Sequence, residues 1–213
     1  MSYPNYSRAE RIADGVVHVL GLGAALTAIA VLFAMTAGRL GGGTLTATGI
    51  YAGALVLMLA ASGAYHMLAH TPARPILRRI DHAAIYVKIA GTFTPLGVLL
   101  GSGFAYAVLA VIWALALIGA AAKIMCKPGR MTTGWLPYFV LGWAGVLLVV
   151  PLSGVVSGVS LLFMGAGGLL YSAGIPFYAW EELRFANAIW HMFVLLASGA
   201  FFAGIATALI QAP

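Results

Sequence analysis

The sequence predicts an all-α membrane protein, a bundle of seven transmembrane helices, and three observations carry that prediction. First, 62% of the 213 residues are hydrophobic and only 8% are charged, with a mean hydropathy of +1.02. Water-soluble domains carry about a quarter charged residues, so a soluble fold is excluded. Second, nearly the whole chain divides into apolar runs of roughly 18 to 25 residues, each long enough to cross about 30 Å of hydrocarbon. Third, the basic residues gather in the short loops between those runs. A single membrane domain over residues 1–213 follows, with no length left for a separate soluble one.

The first span runs from about Ile12 to Met35 and stops before the turn GRLGGG. The second, about Thr44 to Leu68, ends at HTPARP, where Pro72 and Pro75 break the helix. The third, about Ile80 to Leu100, carries Pro95, which predicts a kink near its far end. The fourth covers about Phe104 to Ile124 and gives way to the loop KPGRMTTG. The fifth and sixth, about Trp135 to Val150 and Val155 to Tyr171, meet at the weakly marked PLSGVVSG. The seventh runs from about Ala188 to Ile210. Small residues recur in GLGAAL, AGALV and MGAGG, and in lipid they let helix backbones approach closely. The opening MSYPNYSRAERIADG has no apolar core behind a basic head and is not expected to be a removable signal peptide.

A net charge of +6 and a pI of 9.7 could suggest a nucleic-acid partner, but the positions of the charges argue against one. Arg8, Arg11, Arg74, Arg78, Arg79, Lys123, Lys127, Arg130 and Arg184 fall on one side of the spans. Arg39 alone falls on the other, and Lys88 lies within a span. This asymmetry predicts a cytoplasmic N-terminus and an external C-terminus. Cys126 is the only cysteine, which excludes an internal disulfide and a thiolate metal cluster.

The stretch IDHAAIYVKIAGTFTP, from Ile80 to Pro95, puts ionisable residues where each costs several kcal/mol unless it has a partner or a function. On a helix, Asp81, Lys88 and Thr92 share one face, which must point into the bundle. Span two descends to the same side with Ser62, His66 and His70 at intervals of four. Span three begins there with Asp81 and His82, and span seven with Asn187 and His191. Span one adds Asp14 and His18 at that level. Ser62, His66, Asp81, Asn187 and His191 are therefore expected to converge just inside the cytoplasmic boundary.

Histidine and carboxylate groups in one low-dielectric pocket suit a divalent metal, zinc first among them, with a carboxylate able to take a proton from its water. The alternative is a hydrogen-bonded network that holds helices together, which is the commoner role for a lone histidine such as His18. His70 and His82 read as solvated interfacial groups. Lys88 has two readings: it snorkels towards the headgroups, or it is a counter-ion for Asp81 or for an anionic ligand.

The same residues carry a family likeness. AERIADGVVHVLGLG, SGAYHMLAH, LRRIDHAAIYVKIAGTFTP, GGLLYSAGIPFYAW and NAIWHMFVL together resemble the haemolysin III family. This is the bacterial branch of the progestin and adipoQ receptor group, and the chain is thus similar to the adiponectin receptors. The resemblance covers nearly the full length. It implies seven helices in a bacterial inner (plasma) membrane and a zinc ion (Zn2+) held by three histidines. One belongs to a Ser-x-x-x-His motif and two to a His-x-x-x-His motif on the last helix, while an aspartate on helix three contacts the water on the zinc. By position, His66 would be the first ligand, His191 the last and Asp81 the water contact. The remaining ligand position holds Asn187, a weaker neutral donor. Three outcomes are open: Asn187 or a water completes a weakened site, His70 or another group swings in, or a metal-free polar network remains. Lys88 is a second departure, at a position where the family leads one to expect an apolar residue.

Two functions follow as expectations. One is membrane-lipid homeostasis through zinc-dependent intramembrane hydrolysis of lipid amides or esters. Asp81 would act as base, Ser62 would hydrogen-bond nearby, and a fatty-acyl lipid would enter the bundle interior. The other is a non-catalytic sensor, regulator or lipid-binding scaffold with a degenerate metal site. A cytolytic pore is disfavoured, because no span carries the charged stripe of a water-filled conduit.

Overall fold

A computed structural model describes residues 6–126, 134–180 and 182–211. Lys127, Arg130 and most of the KPGRMTTG loop lie outside the described residues. Among the described residues seven apolar helices follow one another: α1 (Arg8–Thr36), α2 (Gly42–Met67), α3 (Arg74–Leu100), α4 (Gly103–Met125), α5 (Leu136–Leu152), α6 (Gly158–Ala179) and α7 (Ala186–Gln211). All but α5 are long and apolar enough to cross a membrane. Among the described residues there is no strand.

Several helices extend beyond the spans that hydropathy marks, because caps rather than apolar content set their ends. Ser7 and Glu10 form a capping box that starts α1 at Arg8. Pro75, expected to break the second span, occupies the first turn of α3, where its missing N–H costs nothing. Hence α3 begins six residues before Ile80. It also runs on through Pro95 to Leu100, where Gly101 closes it in the left-handed conformation (φ 59°).

Helix α5 is the short one, and its length has a local cause. It is α-helical at Leu136–Trp143, 3-10 at Ala144–Leu148 and α-helical again at Val149–Leu152. Gly142, Gly145 and Pro151 weaken the α ladder here. The 3-10 segment rises about 2.0 Å per residue instead of 1.5 Å, so the 17 residues reach about 28 Å, close to a full hydrocarbon core. Gly145 packs directly against the Phe93 ring, leaving no room for a side chain.

Helix α3 is the most buried of the spans and lies between α2 and α4, with α5 and α7 also touching it. Helix α6 packs along α7, and α1 bridges α7 to α2. Close approach depends on small residues. A Cβ on Gly91 would stand 2.7 Å from Ala54 Cβ, so α2 and α3 meet almost backbone to backbone there. Side chains such as Leu20, Ile118, Leu162 and Leu169 stay exposed on the outer surface, as a lipid-facing surface requires.

Contacts between helix ends show which ends share a face. The Glu10 carboxylate accepts from Phe185 N at 3.0 Å, and Arg11 Nη1 lies 2.9 Å from His70 Nε2. Arg79 reaches the carbonyl of Ile124. At the opposite face Arg39 donates to the carbonyl of Ile210 at 3.0 Å. The described members of the basic set are thus gathered at one face, with Arg39 at the other.

Lys88 does not snorkel. It is 4% exposed, and its ammonium donates to Tyr171 Oη at 2.6 Å on α6 rather than to Asp81. Tyr171 Oη is in turn 2.7 Å from Ser198 Oγ on α7, and the Tyr171 and Phe201 rings flank the cation. A buried ammonium needs such oxygens, because unsolvated it costs several kcal/mol.

Two outcomes are expected in unfolding titrations of detergent-solubilised protein. Gly91→Ala should lower stability by about 1–3 kcal/mol through overpacking against Ala54, whereas Gly23→Ala, with no neighbour within 4 Å, should be neutral or better. Tyr171→Phe should lower it by about 1.5–3 kcal/mol, the worth of a hydrogen bond to a charged group.

Candidate metal centre

Four helices bring polar side chains to one level near the basic face. Asp14 and His18 lie one turn apart on α1, Ser62 and His66 one turn apart on α2, Asp81 near the start of α3, and His191 in the second turn of α7. Asp14 is 8% exposed and its carboxylate is the junction. His191 Nδ1 donates to Asp14 Oδ1 at 2.6 Å, and His66 Nδ1 stands 3.1 Å from Oδ2. One carboxylate therefore joins α1, α2 and α7.

A second strand of the network runs deeper. His18 Nδ1 is 2.8 Å from the Asp14 carbonyl, an acceptor only, so Nδ1 carries the proton. The neutral ring's Nε2 then accepts from the Ser62 hydroxyl at 3.1 Å. The three imidazoles are clustered, with the His191 ring centroid 4.3 Å from that of His18 and 4.5 Å from that of His66. Gly63 faces the His18 ring, and a small residue there leaves room for it.

Ligating atoms of Asp14, His66 and His191 all lie within 4.8 Å of one another. Two imidazoles and one carboxylate are the donor set of several hydrolytic zinc sites, so these residues fit a divalent ion. Above them opens a cavity of about 360 Å³ whose wall includes Asp14, His66 and Asn187. A second hollow of about 20 Å³, enough for a single water, lies beside His18, Ser62 and His191.

The structure brings His66, His191 and Ser62 together, as the spacing leads one to expect. Asn187 sits one turn from His191 towards the mouth, half-buried in the cavity wall, while the third charged donor comes from α1. Asp81 is buried at 7% exposure and within electrostatic range of His66 and His191. Its ion-pair partner, however, is its own neighbour: His82 Nδ1 stands 3.1 Å from Asp81 Oδ2, without hydrogen-bond alignment. His82 is itself buried, not a solvated interfacial group, because α5 covers it and Tyr138 Oη donates to its carbonyl.

Asp14 is the residue that sequence reasoning placed at the right depth but left without a role. A carboxylate inside a span is itself the signal, since lipid tolerates one only with partners. His18 stands four residues on, at the spacing that puts both on one helical face.

Comparison with known proteins identifies the family. Residues 7–202 match the family described as Haemolysin-III related. The chain is 35% identical over 195 residues to the Hemolysin-3 homolog of Bacillus subtilis (strain 168), covering 91% of each protein. It is 32% identical over 194 residues to Hemolysin-3 of Bacillus cereus, covering 91% of this chain and 89% of that one.

Removing the junction should be felt more than removing its neighbour. Asp14→Ala deprives the buried His191 and the half-buried His66 of their acceptor and should lower stability by about 3 kcal/mol. Asp81→Ala should lower it by a smaller amount. Unfolding of both variants in the same detergent gives the ranking.

Proposed function

The chain belongs to the haemolysin III family, and from that premise we propose that it is a metal-dependent intramembrane hydrolase of lipid esters or amides that serves membrane-lipid homeostasis. The observation that carries this reading is the set Asp14, His66 and His191, with ligating atoms within 4.8 Å of one another beside a cavity of about 360 Å³. Asp14 supplies the charged donor where the resemblance places Asn187. In this reading the basic face is cytoplasmic, the C-terminus is outside, and the membrane is the bacterial inner membrane.

His66, His191 and Asp14 would hold the ion, zinc being the best match to nitrogen and carboxylate donors. When bound, such an ion polarises a carbonyl and acidifies a water. The protein's own groups do the rest. Burial excludes bulk water and strengthens every charge interaction around the cluster. Asp81, buried near the imidazoles, would accept the proton of the attacking water and return it to the leaving alkoxide or amine. The Ser62 hydroxyl, its proton given to His18 Nε2, presents lone pairs beside the cluster that would accept from the attacking water.

Metal analysis of protein purified without added zinc tests the site. About one ion per chain is expected in wild type, with loss in His66→Ala, His191→Ala and Asp14→Ala. On the same preparations, fatty-acid release from lipid vesicles should require the ion and should fall at least a hundredfold in Asp81→Asn, within the usual contribution of a general base. A metal-free wild type, whose Asn187→His variant is also metal-free, removes the hydrolase. Metal without turnover leaves the non-catalytic lipid-binding scaffold.

A further inference from the structure

The mouth of the cavity over the cluster carries more positive than negative charge. Arg8 and Arg11 enter it from the first turn of α1, Arg74 from the first turn of α3, and His70 from beyond the end of α2. The acids in the same wall are committed elsewhere. Glu10 accepts from Ser7 through one oxygen and from Phe185 N through the other, and Asp14 holds His66 and His191. Arg11 uses one donor on His70 Nε2, and a guanidinium has five. Arginines in this arrangement recognise planar or tetrahedral oxyanions, phosphate above all.

The cavity's edge also carries Ile12 and Met67, both more than half exposed. A ligand held there can place its charged group among the arginines while its apolar part leaves sideways into the bilayer. Along α1, Arg11 lies three residues from Asp14, about 4.5 Å of axial rise. The arginines and the cluster thus line one cavity at successive levels of α1, as the phosphate and the acyl esters of a glycerophospholipid lie at successive levels of the lipid.

We propose that the Arg8–Arg11–Arg74 mouth binds a phosphate group, and specifically the headgroup phosphate of an anionic glycerophospholipid. Resting on the hydrolase reading, the reaction that follows is ester hydrolysis. One water is consumed, the acyl C–O bond breaks, and a fatty acid and a lysolipid form. Asn187, in the wall between mouth and floor, is then a neutral donor to the bound lipid.

Isothermal titration of the full chain in neutral detergent tests the binding step independently of metal or turnover. The probes are dihexanoyl phosphatidylglycerol and inorganic phosphate. Wild type should bind the lipid, with phosphate competing. R8Q/R11Q, altered only at exposed positions of α1, should bind at least tenfold more weakly, and R74Q should weaken likewise. R79Q removes a charge from the same face but outside the cavity and should bind as wild type. Equal binding by wild type and R8Q/R11Q, or equal weakening in R79Q, overturns the site. Phosphate binding with no gain from the lipid overturns the headgroup assignment and leaves a free anion as ligand. Arginine-dependent lipid binding in protein that holds no metal upholds the mouth while removing the hydrolase.

Discussion

A carboxylate in a low-dielectric interior is stable only if protons or cations are brought to both its oxygens, and Asp14 imposes that condition on three helices. His66 must come from α2 and His191 from α7, at 3.1 Å and 2.6 Å. Neither can do so unless α1 stands between α2 and α7 in one rotational setting. A rotation of α1 by one residue would turn Asp14 about 100° away from both, towards lipid. Association of helices in lipid has no hydrophobic drive, so contacts of this kind select one arrangement from many that pack equally well. The His18–Ser62 link repeats the α1–α2 constraint one turn deeper.

The other side of the bundle is fixed by a second polar layer. Lys88 on α3, Tyr171 on α6 and Ser198 on α7 form a continuous chain of contacts. Both Lys88 and Ser198 lie seven residues from members of the first layer, Asp81 and His191. The two layers are therefore about 10 Å apart along the helices. Between and around them the contacts are apolar or glycine-mediated, including Tyr51, Met58 and Leu55. Two polar rungs and a close-packed filling together fix the register, and neither alone would.

Most of the architecture was legible in the sequence because a bilayer offers so few solutions. Apolar length gives the spans, and their number and order follow. The fifth helix was read to within two residues of its end although glycines and Pro151 convert its middle to 3-10. Helix starts were harder, since Ser7–Glu10 capping and Pro75 act through local hydrogen bonds that hydropathy does not see. At the site, a spacing of four located His66 and His191, and depth alone grouped them. Partner choice was not legible. Which oxygen meets which ring depends on helix rotation and on the contact of α1 with α7, 177 residues apart in sequence for Asp14 and His191. Lys88 misled for the same reason: an ammonium's reach is obvious, but the position of a tyrosine 83 residues away is not.

Asn187 stands where the family resemblance leads one to expect a histidine, and read alone it implies a weaker metal site. Taken with Asp14, it shifts where the charge lies. A neutral imidazole would leave the donors uncharged, whereas a carboxylate puts a negative charge at the floor of the cavity, with arginines at its rim. In the proposed function the charge of the ion enters the same balance. A divalent ion held by neutral donors alone would keep both of its positive charges and compete with the arginines for a lipid's phosphate. Asp14 cancels one of them, so the floor would attract the headgroup less while still polarising a carbonyl oxygen. The arginines at the rim would then be the stronger site for the phosphate, and the carbonyl the part left to approach the cluster. In that reading the carboxylate contributes to selection as well as to binding, because it weakens the hold of the floor on the wrong end of the lipid.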